Sequence, residues 1–303
     1  MKAKKPVIEE EQKKDITLIP LADTHTGSST ALHPNEKLID GEWKSLTEMM
    51  GWRYMHNHHY YPNSKQVRMW EHFKKCLEVG FQARVNRKLI LMVVGDANDG
   101  DHHGTFELVT RNIGEQKDTH IQIMLYAMEK LNYQRGDELM YLSGTSVHVG
   151  DEENGIAKEL GAYQYADGFY SASFVEMDIN GALVWAYHKG AAAGMGHNKG
   201  NSAVNYLKRI YYQCLQEGKR VPDLVMSGHT HDPFHATWTN PENKTMHYVI
   251  LPSWQDKTRF VKDNMPLSIN RVGMQIIQIS ADGVITIPKP MILESPLGEV
   301  IKI

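Results

Sequence analysis

The residues best suited to chemistry are two histidines one residue apart, His229 and His231, in the stretch DLVMSGHTHDPFHA at 223–236. The apolar run Leu224-Val225-Met226 reads as a short buried strand, and Ser227-Gly228 breaks it into a turn. In an extended chain residues i and i+2 point the same way, so both imidazoles face one point beyond a strand end. They bind a metal if other ligands converge there; otherwise they are two surface histidines in a loop. Other strand-like runs end alike. ITLIPLA is followed by Asp23 and His25, and LILMVV by Gly95, Asp96, Asn98 and Asp99. ELMYLS is followed by Thr145 and His148, and ALVWAY by His188. Active residues of α/β folds gather at the carboxyl ends of strands. Two carboxylates with at least four imidazoles suit Mn, Fe, Zn or Ni better than Ca or Mg, which prefer all-oxygen shells. Asp96, in the middle of the set, is the natural bridge between two ions. Two ions about 4 Å apart orient a phosphoryl group and acidify a shared water, giving a hydroxide placed for in-line attack on phosphorus.

The order D-x-H, G-D-x-x-D, a G-N-H-like element, a lone His and G-H-x-H resembles the signature of calcineurin-like metallophosphoesterases, over roughly residues 16 to 255. The local patterns THTGSSTALHP, GDANDGDHHG, GTSVHVGDEE, SGHTHDP and LPSWQ are similar to phage- and prophage-type members of that family. The resemblance implies a four-layer α-β-β-α sandwich of two mixed sheets flanked by helices. It implies two divalent transition metal ions, Mn ahead of Fe, Zn or Ni. One ion is held by Asp23, His25, Asp96 and His231, the other by Asp96, His188, His229 and one further ligand. In the family that ligand is the Asn of G-N-H-D, and the following His protonates the leaving group. Here the chain reads Gly144-Thr145-Ser146-Val147-His148. Thr145 takes the Asn position by count from Gly144, with Asn98 or a water as the alternatives. His148, two residues later than the family's His, takes the acid role.

The resemblance makes the expected function metal-dependent hydrolysis of a phosphate ester, with a phosphodiester of a nucleotide or nucleic acid as the expected substrate. The same site serves phosphatases, phosphodiesterases and nucleases, and a fold does not choose among them. A DNA nuclease of the repair-nuclease type is the rival within enzymes. The rival from another class is a non-catalytic, metal-containing binding module, which the Thr at 145 permits. A structural zinc domain is disfavoured, because no cysteine lies near the histidines.

Several further residues have two readings. Asp99 is either a turn carboxylate or a partner that orients a ligating histidine. His102 and His103 are loop residues within reach of substrate. His56, His58 and His59 match no established metal motif and read as solvated loop residues. Arg111 and Asn112 either meet a phosphate or form plain surface. The Gly- and Ala-rich stretch HKGAAAGMGHNKGNS, directly after His188, reads as mobile, either closing over substrate or forming a plain flexible connection.

The elements that must position these residues alternate strand and helix through the middle of the chain, with hairpins late. SKQVRMWEHFKKCLEVG reads as a helix capped by Ser64 and stopped at Gly80. EQKDTHIQIMLYAMEKL, EENGIAKELG and SAVNYLKRIYYQCLQEG read as three more. Asn180-Gly181 and Asp282-Gly283 mark two hairpins. The 303 residues are expected to form a polar lead-in at 1–14 and one domain at 15–303, with an irregular insertion at about 26–62. The net charge of −3 exerts no global pull toward nucleic acid or anionic membrane. The absence of an obvious basic stripe disfavours long duplex DNA. Two separated cysteines, Cys76 and Cys214, and no apolar leader or spanning stretch make a cytoplasmic setting and no membrane partner the expectation.

Overall fold

A computed structural model describes residues 13–45, 62–101, 106–146, 148, 152–264 and 270–293. In chain order it runs β1 (Ile16–Leu21), the hairpin β2 (Glu36–Ile39) and β3 (Glu42–Ser45), α1 (Ser64–Arg84), β4 (Lys88–Val94) and α2 (Ile113–Lys130). Next come β5 (Glu138–Leu142), α3 (Glu152–Glu159), β6 (Ser171–Ala172), β7 (Phe174–Ile179), β8 (Ala182–Lys189), α4 (Asn201–Glu217) and β9 (Leu224–Gly228). The chain continues with β10 (Phe234–Thr239), β11 (Thr245–Ile250), α5 (Arg259–Asn264), β12 (Gly273–Met274), β13 (Ile277–Ile279), β14 (Ile285–Thr286) and β15 (Met291–Ile292).

Two mixed sheets carry the fold, in the orders β14-β13-β1-β4-β5-β6 and β10-β11-β9-β8-β7. In the first, β1, β4, β5 and β6 are parallel; in the second, β8, β9 and β11 are. The layering follows from side-chain parity, since neighbours along a strand face opposite ways. On β4, Leu89, Leu91 and Val93 pack on Trp70 and Phe73 of α1, Met124 of α2 and Ile156 of α3. Ile90, Met92 and Val94 pack on Val184, Met226 and Val249 of the second sheet. That sheet turns Val225, Tyr248 and Ile250 outward onto Leu207 and Ile210 of α4. The result is the expected helix–sheet–sheet–helix sandwich. A strand buried on both faces explains why LILMVV is apolar throughout.

Local chemistry sets the element ends. Helix α1 is capped by Asn63, one residue before the expected Ser64: its side chain accepts from Lys65 N and Gln66 N, and the Gln66 side chain accepts from Asn63 N. The helix runs through Gly80 to Arg84. Gly80 is buried where an added Cβ would come within 2.9 Å of Leu131, so its role is close packing and not helix termination. Asn180 and Gly181 both take positive φ (56° and 98°), as a two-residue turn between β7 and β8 needs. In the stretch expected to be an irregular insertion, 26–33 is mostly buried against the loop after β4, and 36–45 forms the β2–β3 hairpin. His56, His58, His59, His102 and His103 lie outside the described residues. Among the described residues no helix is long and apolar enough to cross a membrane.

Candidate metal centre

The carboxyl ends of β1, β4, β5, β8 and β9 converge where the two sheets meet. Backbone bonds join their loops: Asp23 N donates to Gly95 O (3.1 Å), His25 N to Asp96 O (2.9 Å) and Thr26 N to Ala97 O (2.9 Å). From the other sheet His229 N donates to both carboxylate oxygens of Asp23, at 3.1 and 3.0 Å. Five residues here take positive φ: Asp23 (54°), His25 (42°), Asp96 (51°), His229 (70°) and His231 (54°). A side chain in that region costs free energy, and such residues cluster where surrounding structure enforces a functional geometry. Their concentration in one spot is a property of the site.

Three sets of side chains bring their ligand atoms within 4.8 Å of one another: Asp23, His25 and His231; His25, Asp96 and His148; Asp96, His188 and His229. Every residue expected to bind metal through Asp or His falls into one of them, and Asp96 is shared. Individual contacts are close: His188 Nε2 lies 3.0 Å from Asp96 Oδ2, and His231 Nε2 lies 3.3 Å from Asp23 Oδ1.

The donor set fits divalent transition ions on the chemistry of its own atoms. His188 donates Nδ1–H to Val94 O (2.8 Å). In the neutral ring this leaves a lone pair on Nε2, which is buried beside the Asp96 carboxylate and satisfies no hydrogen bond. Two electron-rich atoms facing one point call for a cation between them. His25 repeats the pattern, with Nδ1 donating to Asp99 Oδ1 (3.1 Å) and Nε2 turned toward Asp96 Oδ2 (3.8 Å). Asp99 thus orients a histidine and is not a plain turn residue; Gln255 Nε2 holds it in turn (3.3 Å). Removing the Asp99 side chain should weaken metal binding roughly 10- to 100-fold, the usual cost of losing such a partner; titrating Mn²⁺ into Asp99→Ala checks this.

Thr145 stands beside Asp96: its backbone N reaches Oδ1 at 2.7 Å, and its Oγ1 lies 3.0 Å from Oδ1 and 3.3 Å from Oδ2. Asn98 Oδ1 accepts from Thr26 Oγ1 (2.9 Å), and its amide nitrogen is buried without a partner. His148 donates Nδ1–H to Asp99 O (2.9 Å) and stands edge-on to His25, with centroids 4.7 Å apart. Arg111 pairs with Asp101, and Asn112 caps α2 through Gly114 N. The stretch after His188 is held, not loose: Lys199 pairs with Asp232 (2.8 Å), Tyr248 Oη donates to Ala191 O (2.8 Å) and Gly200 N to Ala193 O (2.7 Å).

Charge is concentrated here. Burial pushes the Asp23 carboxyl up, but His231 and His188 beside it outweigh burial and hold it below its ordinary value. Asp96 is lowered likewise, burial being overcome by His188 and His25. Burial pulls His188 down, yet Asp96 and Asp23 raise it to about 9. His229 is lowered by burial and by His188. The raised His188 contributes stability to the metal-free fold below about 6.5 that is lost as pH climbs through about 9. A ligating imidazole must be neutral, so metal loading at pH 7.5 should release a proton from His188, and affinity should rise with pH up to about 9. Calorimetry in buffers of differing ionisation enthalpy measures this; a heat independent of buffer contradicts it.

Sequence reasoning missed Glu153. Its buried carboxylate accepts from Ala97 N (3.0 Å) and Gly144 N (2.6 Å), and burial, opposed by those two amides, pushes it up to about 7. An acidic residue in the first turn of a short helix carries no sequence mark of burial. Gln255 was missed for the same reason: only the fold brings it to Asp99.

No protein-family model matches the sequence, and no curated protein matches it. Solved structures do align. Zinc-bound Vps29 from Entamoeba histolytica aligns at 10% identity and TM-score 0.35, over 91% of this chain and 99% of that one. Thermus thermophilus sulfate thiohydrolase SoxB aligns at 13% identity and TM-score 0.40, over 94% of this chain and 57% of that one. Haemophilus influenzae NAD nucleotidase aligns at 10% identity and TM-score 0.38, over 91% of this chain and 49% of that one. The chain therefore spans about half the length of the last two. Likeness this distant carries no functional argument, and the reading rests on the site itself.

Proposed function

We propose that the chain is a metal-dependent phosphoesterase, hydrolysing a phosphodiester of a nucleotide or a nucleic acid end. The observation that carries this reading is the convergence of two carboxylates and five imidazoles in three sets, each with ligand atoms within 4.8 Å, linked to one another through His25 and Asp96. Asp23, His25, Asp96 and His231 hold one ion, and Asp96, His188 and His229 the other. Such a pair, when bound, supplies positive charge to a phosphoryl group and acidifies water. The chain's own residues do the rest. Asp99 and the Val94 carbonyl fix the tautomers of His25 and His188, so that each presents Nε2 to the centre. Thr145 holds Asp96 mainly at Oδ1, its hydroxyl reaching Oδ2 only at 3.3 Å, and Oδ2 is the oxygen nearest His25 and His188. His148, held at Nδ1 by the Asp99 carbonyl, would as an imidazolium give its Nε2 proton to the leaving oxygen.

A second reading is a metal-containing binding module without turnover. It is favoured by one observation: the residue in the family's Asn position offers a hydroxyl directed to Asp96. The discriminating experiment is hydrolysis of bis(p-nitrophenyl) phosphate, p-nitrophenyl phosphate and single-stranded DNA with Mn²⁺, against His229→Ala. Diester turnover lost in the variant supports the proposal. Turnover of the monoester alone makes the enzyme a phosphatase, DNA cleavage makes it a nuclease, and no turnover with several metals leaves the binding module.

A further inference from the structure

We propose that Glu153 is the positioning residue that sets the bridging carboxylate Asp96, by clamping together the two loops that carry and hold it. The inference deepens the reading of Asp96 as a shared metal ligand and rests on it for its metal readout. Glu153 sits in the first turn of α3, fully enclosed at 1% exposure. One carboxylate oxygen accepts from the amide of Ala97, the residue after Asp96. The other accepts from the amide of Gly144, the residue before Thr145. Thr145 in turn directs its amide and its hydroxyl at Asp96 Oδ1. The chain of contacts therefore closes on itself: Glu153 to Ala97, Ala97 to Asp96 through one peptide, Asp96 to Thr145, and Thr145 through Gly144 back to Glu153.

The approach inside this ring is so close that a Cβ on Gly144 would stand 2.2 Å from Asp96 N and Oδ1. Oδ1 takes the two shorter donors, at 2.7 and 3.0 Å, and Oδ2, 3.3 Å from the Thr145 hydroxyl, faces His25 and His188 at 3.8 and 3.0 Å. Two acceptors on one short side chain are what the clamp needs. A glutamine in its place offers one acceptor and turns an amide N–H at the other loop's N–H, leaving that buried donor unpaired.

The test uses the full chain and three variants, Glu153→Gln, Glu153→Asp and Thr145→Val. Two readouts are taken: Co²⁺ affinity with its visible absorption spectrum, and hydrogen exchange of the Thr145 amide in the metal-free protein. In Glu153→Gln, Co²⁺ binding should weaken roughly 10- to 100-fold, as for loss of other groups that orient ligands. Its spectrum should change, and the Thr145 amide should exchange at least about tenfold faster although Glu153 does not touch it. Glu153→Asp keeps both acceptors and should recover part of both effects; it also serves if the glutamine variant does not fold. Thr145→Val, which loses only the hydroxyl contact, should shift the spectrum less than Glu153→Gln does. Wild-type Co²⁺ affinity, spectrum and Thr145 exchange in a folded Glu153→Gln overturn the proposal. If the wild-type chain binds no Co²⁺, the metal reading fails, and the exchange result alone decides for or against the clamp.

Discussion

Asp96→Asn is expected to lower phosphodiester hydrolysis by at least about 10³-fold, near 4 kcal/mol of transition-state stabilisation at 1.36 kcal/mol per decade. The reason is that the proposal gives Asp96 to both ions: its Oδ2 lies 3.8 Å from His25 Nε2 of the first set and 3.0 Å from His188 Nε2 of the second. An asparagine keeps the shape but supplies one oxygen and no charge, so both sets lose an anionic ligand together. It also removes the charge that, with Asp23, holds a proton on His188. The variant should remain folded, because the residue is replaced by an isostere and the loop bonds to its backbone persist. Steady-state rates with Mn²⁺ measure the loss. Wild-type turnover in a folded variant would mean that Asp96 is not shared between working ions.

The second large effect is expected from a single methyl group. Gly144→Ala places a Cβ 2.2 Å from Asp96 N and Oδ1 and 2.9 Å from its Cα. Backbone cannot rotate out of the way as a side chain can, and the Gly144 amide is itself held by Glu153 at 2.6 Å. The loop must move, and displacement of a catalytic group by about 1 Å can cost about 10² in rate. Overpacking of this kind also destabilises by about 1–3 kcal/mol. Gly155→Ala is the matched control, since an added Cβ on Gly155, inside α3, meets nothing within 4 Å. It should stabilise the fold by about 0.5–1 kcal/mol, the helix preference of Ala over Gly, and leave turnover unchanged. Thermal melts and rates of the two alanine variants, measured together, separate crowding at the site from a general effect of losing a glycine.

The convergence of Asp23, His25, Asp96, His188, His229 and His231 was legible because each follows an apolar run long enough to be a strand, and strand ends in an α/β layering converge. The layering was legible too: doubly buried β4 is apolar at every position after Lys88, and Asn180-Gly181 announces its hairpin. What sequence did not reveal depends on contacts distant along the chain. Asn63 supersedes Ser64 as a cap because Gln66 reciprocates. Gly80 looks like a helix stop until Leu131 and Ile19 are seen against it. Residues 26–33 lack periodicity because they follow the loop after β4 and not a sheet or helix, yet they are mostly buried. Glu153 acts through two hydrogen bonds from backbone amides and Gln255 through one to a carboxylate, and such bonds leave no periodic trace.

The central claim is a pair of ions around Asp96, and the direct test is to count them. Equilibrium dialysis of the metal-stripped chain against Mn²⁺ at pH 8, with bound metal determined by mass spectrometry, should give close to two ions per chain for the wild type and a clear deficit for Asp96→Asn. One ion or none in the wild type, at Mn²⁺ concentrations that saturate, would contradict it.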